Sequence, residues 1–136
     1  MTVVIRPANP SDFDFLQSRD THVAPRELHD LVERGRVLIA MNDGEPVGWL
    51  RWNLFWDEHP FMNMLYVLEP HRGQGISRRL IEVWEDDCRQ RGHAFVMTST
   101  LSTEDAQHLY RHLGYRDAGH LDLPAEPREL VLLHAL

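Results

Sequence analysis

An apolar, strand-like run from Phe61 to Leu68 passes directly into Glu69-Pro70-His71-Arg72-Gly73-Gln74-Gly75-Ile76-Ser77-Arg78-Arg79-Leu80, where an amphipathic helix pattern begins. A strand, a tight glycine loop and a helix start in immediate succession leave several backbone N–H groups pointing the same way. The aligned peptide dipoles give a helix start about half a positive charge, so such a loop favours a phosphate group. Without Cβ atoms, Gly73 and Gly75 let an anion approach the main chain and let the turn use positive φ. Arg72, just ahead of the loop, is placed for a charge-assisted contact. A dinucleotide fingerprint needs a third glycine, where Arg78 stands, and a Walker loop needs a lysine, which this chain lacks altogether. What remains is R-x-x-G-x-[G/A], from Arg72 through Gly75 with the small residue Ser77 in the last place. A surface turn that happens to hold two glycines is the plain alternative.

A second segment follows at a set distance, after a further strand: Ala106-Gln107-His108-Leu109-Tyr110-Arg111-His112-Leu113-Gly114-Tyr115. With the loop, it resembles the A-x-x-L-Y-x-x-x-G-[FY] segment of the GCN5-related N-acetyltransferase (GNAT) superfamily. The recognisable part runs from about Met62 to Tyr115; upstream, the order of elements carries the likeness. The resemblance implies a mixed α/β fold, a central sheet of about seven strands flanked by about four helices, and an acetyl-CoA-dependent N-acetyltransferase with no metal.

The 136 residues suit one domain spanning 1–136, long enough to bury about two-thirds of its unfolded surface. A formal charge of −7 argues against a nucleic-acid partner and favours neutral or cationic ones, which also disfavours an acetyltransferase acting on charged tRNA. The single cysteine, Cys88, excludes an internal disulfide and a Cys-x-x-Cys metal site, and its place in the helix after the loop reads as a small buried hydrophobe. No run approaches ~20 apolar residues and the start shows no leader pattern, so no membrane partner and a cytoplasmic location are expected.

Along the chain, Thr2 to Ile5 reads as a strand and Asn9-Pro10-Ser11 as a helix start followed by Phe13 and Leu16. A second helix begins near Pro25 and stops at Gly35. Arg36 to Met41 is a strand, Asn42 to Pro46 an Asp-Gly turn, and Val47 to Trp56 an alternating strand. There Leu50, Trp52, Leu54 and Trp56 share one face against Arg51 and Asn53. Ile76, Leu80, Ile81, Trp84 and Cys88 form a helix stripe ending near Gly92, and His93 to Thr100 is a strand. Ser102 and Asp105 have capping-box spacing ahead of Ala106, Leu109, Tyr110 and Leu113. Tyr115 to Leu121 and Glu129 to Leu136 close the chain as strands; the last pairs either inside the sheet or across a homodimer.

By resemblance, the pantetheine arm of acetyl-CoA lies along Leu65, Tyr66 and Val67, held through their backbones, and one N–H there serves the oxyanion. The pyrophosphate sits on Gly73, Gln74, Gly75, Ile76, Ser77 and Arg78. Tyr110 matches the tyrosine that protonates the departing thiolate, although it equally reads as a core aromatic in the stripe with Ala106 and Leu113. Thr103 stands where family members often carry asparagine, with a shorter reach to the cofactor. Thr98 and the region of Phe61 stand where some members carry a glutamate base, so no base carries over. Glu58, His59 and Asn63 are candidates by position, His59 also reading as a solvated turn residue beside Pro60; Glu69 and His71 read as surface charges, and water relay needs no base at all. Trp49, Trp52, Phe55, Trp56 and Phe61, next to Asp57 and Glu58, suit a cationic amine or serve as packing. A small amine is the expected acceptor ahead of a peptide amine. An acyl-CoA-binding sensor or interaction module without transfer is the rival reading.

Overall fold

The computed structural model describes residues 2–136. In chain order they form β1 (Val3–Pro7), α1 (Phe13–Arg19), α2 (Pro25–Glu33), β2 (Val37–Asn42), β3 (Glu45–Phe55), β4 (His59–Val67), α3 (Ile76–Gln90), β5 (Phe95–Leu101), α4 (Ala106–His112), β6 (Arg116–Leu121) and β7 (Glu129–Ala135), with 3-10 turns at Pro10–Asp12 and Glu69–His71. The strands make one mixed seven-stranded sheet in the order β1-β2-β3-β4-β5-β7-β6. β1–β2, β2–β3, β5–β7 and β6–β7 pair antiparallel, whereas β4 and β5 run parallel at Phe61–Met97 and Met62–Thr98. β7 is an interior strand between β5 and β6, so of its two expected pairings the one inside the sheet is realised. No helix among the described residues is long and apolar enough to cross a membrane.

Local chemistry sets the boundaries. The Asn9 side chain accepts from Ser11 N–H at 2.9 Å while Asp12 accepts from Asn9 N–H at 2.9 Å, two otherwise orphaned donors satisfied before α1. Gly35 leaves α2 with φ +72°, and Asp43 and Gly44 take φ +50° and +85° to turn β2 into β3.

The chain divides into two compact units, one comprising the residues up to Asn53 with Met64–Trp84, the other Leu54–Asn63 with Glu85–Leu136. In the first, Ala8, Leu16, Leu28, Leu31, Val32, Val37 and Trp49 form a core, with Phe13, Phe15 and Met64 packed against it. The alternation read for β3 fails here: Val47 to Trp52 are buried on both faces, and Arg51 is only 5 % exposed. Its partner is Asp20, directly after α1, whose carboxylate accepts from Arg51 Nε at 2.8 Å, Arg51 Nη2 at 3.3 Å and Trp49 Nε1 at 3.1 Å. A buried charge needs a paired countercharge, and one 31 positions away leaves no local trace. Trp56, placed on one face with Leu50 and Trp52 by the same alternation, lies beyond the end of β3 in a turn and is 75 % exposed.

In the second unit, Val96, Thr98, Tyr110, Tyr115 and Leu132 are buried. Tyr115 donates to Glu85 Oε2 at 2.7 Å and stacks on His134 at 5.0 Å. β6 forms the outer edge; all six of its residues are exposed, and its register slips between Asp117 and Gly119, where Gly119 has φ +140°.

Candidate active site

The first unit carries the strand end and loop singled out by the sequence. Gly48 of β3 lets the two strands close up: a Cβ there would lie 2.8 Å from the Tyr66 carbonyl oxygen and 3.2 Å from a Val67 methyl. Leu68 N–H donates to Val47 O at 2.8 Å, so the main chain is fixed up to the point where β4 ends. Pro70 then starts the 3-10 turn Glu69–His71, with Glu69 exposed and His71 half-buried. Arg72 folds back over this corner: its Nε donates to Val67 O at 2.8 Å, and its guanidinium lies 5.1 Å above the Tyr66 ring. Trp49 packs on the same tyrosine, at 5.1 Å between centroids. Asp20, Trp49, Tyr66 and Arg72 therefore form a continuous brace behind the loop.

Gly73 and Gly75 adopt φ +78° and +80°, and a Cβ on either would meet nothing within 4 Å. Backbone conformation, not crowding, makes these positions glycine. The first intrahelical bond of α3 is Arg79 N–H to Gly75 O, at 3.1 Å. The N–H groups of Ile76, Ser77 and Arg78 precede it and have no carbonyl partner inside the helix. Ile76 is buried and anchors the helix start, while Gln74 and the two glycines are exposed. The Arg78 side chain runs along the helix to Glu82 at 2.9 Å, which leaves its main chain as its contribution to the loop. A cluster of uncommitted amides at the positive end of a 15-residue helix, with open space over two glycines, fits a diphosphate.

The second unit holds the aromatic candidate. Tyr110 of α4 is 5 % exposed and 5.8 Å from the Tyr115 ring, with the Thr98 hydroxyl as a polar neighbour. Thr98 Oγ1 donates to Met62 O at 3.0 Å, which ties β5 to β4 beside this tyrosine. Burial pushes the Tyr110 hydroxyl up to about 12; the Thr98 hydroxyl partly offsets this and the Glu104 carboxylate adds to it. The phenol is therefore protonated throughout the ordinary pH range. Thr103 is exposed in the turn two residues before the N-cap of α4.

Several expectations are corrected. The Ser102–Asp105 capping box does not form: Asp105 is the N-cap without a side-chain bond. Glu104 instead accepts from Leu101 N–H at 2.9 Å, and Gln107 donates to Ser102 O at 2.8 Å. His59 is not a turn residue but the first residue of β4, half-buried and stacked on Phe95 at 4.5 Å, with Glu58 at 3.6 Å. Asn63 is exposed on β4. The aromatic group read as one cluster is divided. Trp49 and Trp52 are buried in the first unit, whereas Phe55, Trp56 and Phe61 surround the β3–β4 turn in the second. Two residues escaped notice: Gly48, although an isolated glycine inside a strand pattern signals close backbone approach, and Asp20, for which no local signal exists.

No curated protein matches the chain. Solved structures match over nearly their whole length: Ard1 from Thermoplasma volcanium at 16 % identity, TM-score 0.86, covering 100 % of this chain and 99 % of that one. Naa50 from Arabidopsis thaliana, in complex with the bisubstrate analogue CoA-Ac-MVNAL, matches at 18 % identity and TM-score 0.83, covering 100 % of both chains. Ribosomal-protein-alanine N-acetyltransferase from Brucella melitensis matches at 21 % identity and TM-score 0.79, covering 98 % of this chain and 99 % of that one. At such identities these likenesses speak for the fold. The model of the acetyltransferase (GNAT) family matches residues 6–115, a span that includes β4, the glycine loop, α3 and Tyr110, and the chain accordingly belongs to the GNAT acetyltransferase family.

Proposed function

We propose that this chain is an acetyl-CoA-dependent N-acetyltransferase whose acceptor is a peptide amine. The observation that carries the reading is the start of α3, where two positive-φ glycines lead into amides with no partner in the helix. Acetyl-CoA, when bound, supplies the activated acyl group and a diphosphate to hold it by. The amides from Gly73 to Arg78 grip that diphosphate, and Leu65, Tyr66 and Val67 receive the pantetheine arm through their main chains. A β4 N–H donates to the carbonyl oxygen as negative charge builds there. Thr103 offers its hydroxyl to the cofactor from the turn before α4.

Tyr110 is the donor to the departing sulfur. Burial keeps its hydroxyl protonated at neutral pH, so the proton is available to the sulfur as it departs, and the amine proton leaves through water. No side chain is assigned as base: His59 is engaged with Phe95 and Glu58. A peptide acceptor is supported by the CoA–peptide analogue named with the Arabidopsis enzyme and by the ribosomal-protein substrate named for the Brucella one.

The test is calorimetry with coenzyme A followed by thiol release from acetyl-CoA with peptides, polyamines and aminoglycosides. Gly75→Ala forces alanine into φ +80°, at a cost of about 1–2 kcal/mol, and is expected to weaken coenzyme A binding about tenfold in a folded protein. Absence of coenzyme A uptake by the parent protein overturns the reading. Uptake without thiol release for any acceptor leaves the acyl-CoA-binding module, and release with polyamines alone moves the acceptor to a small molecule.

A further inference from the structure

The β3–β4 turn breaks local rules that the rest of the fold keeps. Glu58 N–H donates to Phe55 O at 3.0 Å, and the two central residues, Trp56 and Asp57, have φ +55° and +61°. This is a two-residue turn of the type that selects asparagine, aspartate and glycine. Aspartate suits its place; tryptophan, bulky at Cβ, is strained in it. Nor does packing explain the choice, since Trp56 is 75 % exposed while Trp49, Trp52 and Trp84 are 2 % exposed or less. Its ring lies 4.7 Å from Phe55 and 6.3 Å from His59, while Phe55 stacks on Phe61 and His59 on Phe95. The result is an aromatic shelf ending in an exposed indole, beside the exposed carboxylates of Asp57 and Glu58. Of the 14 arginines in the chain, none lies between residues 54 and 63.

We propose that this turn is a docking surface for an arginine- or lysine-bearing segment of the acceptor peptide, whose cation stacks on Trp56 and is complemented by Asp57 and Glu58. An aromatic face flanked by carboxylates attracts a cation by both quadrupole and charge. Local geometry fits a segment of the acceptor itself. β4 rises about 3.3 Å per residue, so the turn end at His59 stands about 10 Å from Met62, whose carbonyl holds Thr98 beside Tyr110. An extended peptide covers that distance in about three residues. The assignment rests on the peptide-acceptor reading above, but its binding test does not need catalysis.

Because the other tryptophans are buried, acrylamide quenching of the intact protein reports chiefly on Trp56. N-acetylated hexa-arginine amide, which offers no acceptor amine, is expected to shield Trp56 saturably, with hexa-glutamate without effect. Asp57→Asn with Glu58→Gln, which keeps the reporter and the turn, is expected to weaken that binding about tenfold. Trp56→Gly, which relieves the strained φ, is expected to raise thermal stability while abolishing the calorimetric signal for the arginine peptide and raising KM, without changing kcat, for acceptors carrying arginine near the amine. Equal shielding by hexa-glutamate, no shielding at all, or unaltered binding in the carboxylate variant overturns the proposal; spermine shielding as well as the peptide overturns its peptide assignment. A protein that binds coenzyme A and shows no shielding refutes this surface alone, whereas failed coenzyme A binding refutes the enzymatic reading.

Discussion

Gly48→Ala is the most direct test of how the fold positions β4, the strand proposed to receive acetyl-CoA. At Gly48 the backbone is one that any residue adopts, so alanine introduces no dihedral strain and acts only through space. Its Cβ would meet the Tyr66 carbonyl oxygen at 2.8 Å and the Val67 Cα at 3.4 Å. An ordinary contact needs at least 3.4 Å, so β3 and β4 must separate by about 0.6 Å at the Tyr66 carbonyl. The obstacle is main chain and cannot rotate aside. Overpacking of this kind costs about 1–3 kcal/mol. Because Val67 O also holds Arg72, the displacement reaches the loop, and a comparable misplacement of reacting groups lowers turnover about 100-fold. Urea denaturation, coenzyme A calorimetry and thiol release on one preparation measure all three effects. Gly44→Ala, where φ is +85° and nothing lies within 4 Å, is the control that carries dihedral strain without crowding and is expected to spare the cofactor. Unchanged stability and unchanged coenzyme A affinity in Gly48→Ala would refute the reasoning.

Tyr110→Phe is expected to lower kcat with little change in the KM for acetyl-CoA, and the parent enzyme to show no alkaline fall in kcat from this group below about pH 11, since burial holds its hydroxyl near 12; a tyrosine-dependent limb near pH 9 contradicts this. Raised pKa values in the folded state mean stability present at neutral pH and lost as pH rises: Cys88 from 9.0 to about 12 and Tyr110 from 10.0 to about 12 both favour the neutral form on burial. Urea midpoints are therefore expected to fall progressively between pH 9 and 12, and a flat profile contradicts the burial argument. Asp20→Ala strands the buried Arg51 guanidinium and leaves Trp49 Nε1 without its acceptor, at a cost of about 3–5 kcal/mol; a loss under 1 kcal/mol by urea denaturation speaks against the brace behind Tyr66. Native Cys88, fully buried, is expected to resist iodoacetamide at pH 8 and to react on unfolding.

The parts of the fold legible in the sequence are those with local causes. The stripe Ile76, Leu80, Ile81, Trp84 and Cys88 is buried as its spacing requires, and Gly35, Gly92 and Gly114 all take positive φ just beyond their helices. The loop from Arg72 to Arg78 was equally legible, because its glycines answer to backbone dihedrals that neighbouring residues dictate. Long-range pairing was not. Nothing near Arg51 announces Asp20, so an inward arginine reads as an outward one. The capping signal at Ser102 and Asp105 fails because Ser102 N–H is already bonded to Arg128 O, while Glu104 and Gln107 take Leu101 N–H and Ser102 O. His59 read as a turn residue because Pro60 follows it, yet the stack on Phe95 extends β4 through both.

The slipped, charged outer strand β6 also has a bearing on how the protein behaves at high concentration. Its kink at Gly119 interrupts the straight row of amides and carbonyls that a foreign strand would need, and Arg116, Asp117 and His120 place solvated side chains along it. Arg111 holds Asp117 at 2.8 Å, a pairing that an incoming chain would have to displace. That border of the sheet is thereby defended against fibre-like stacking, and crowding should leave the protein dispersed on this side.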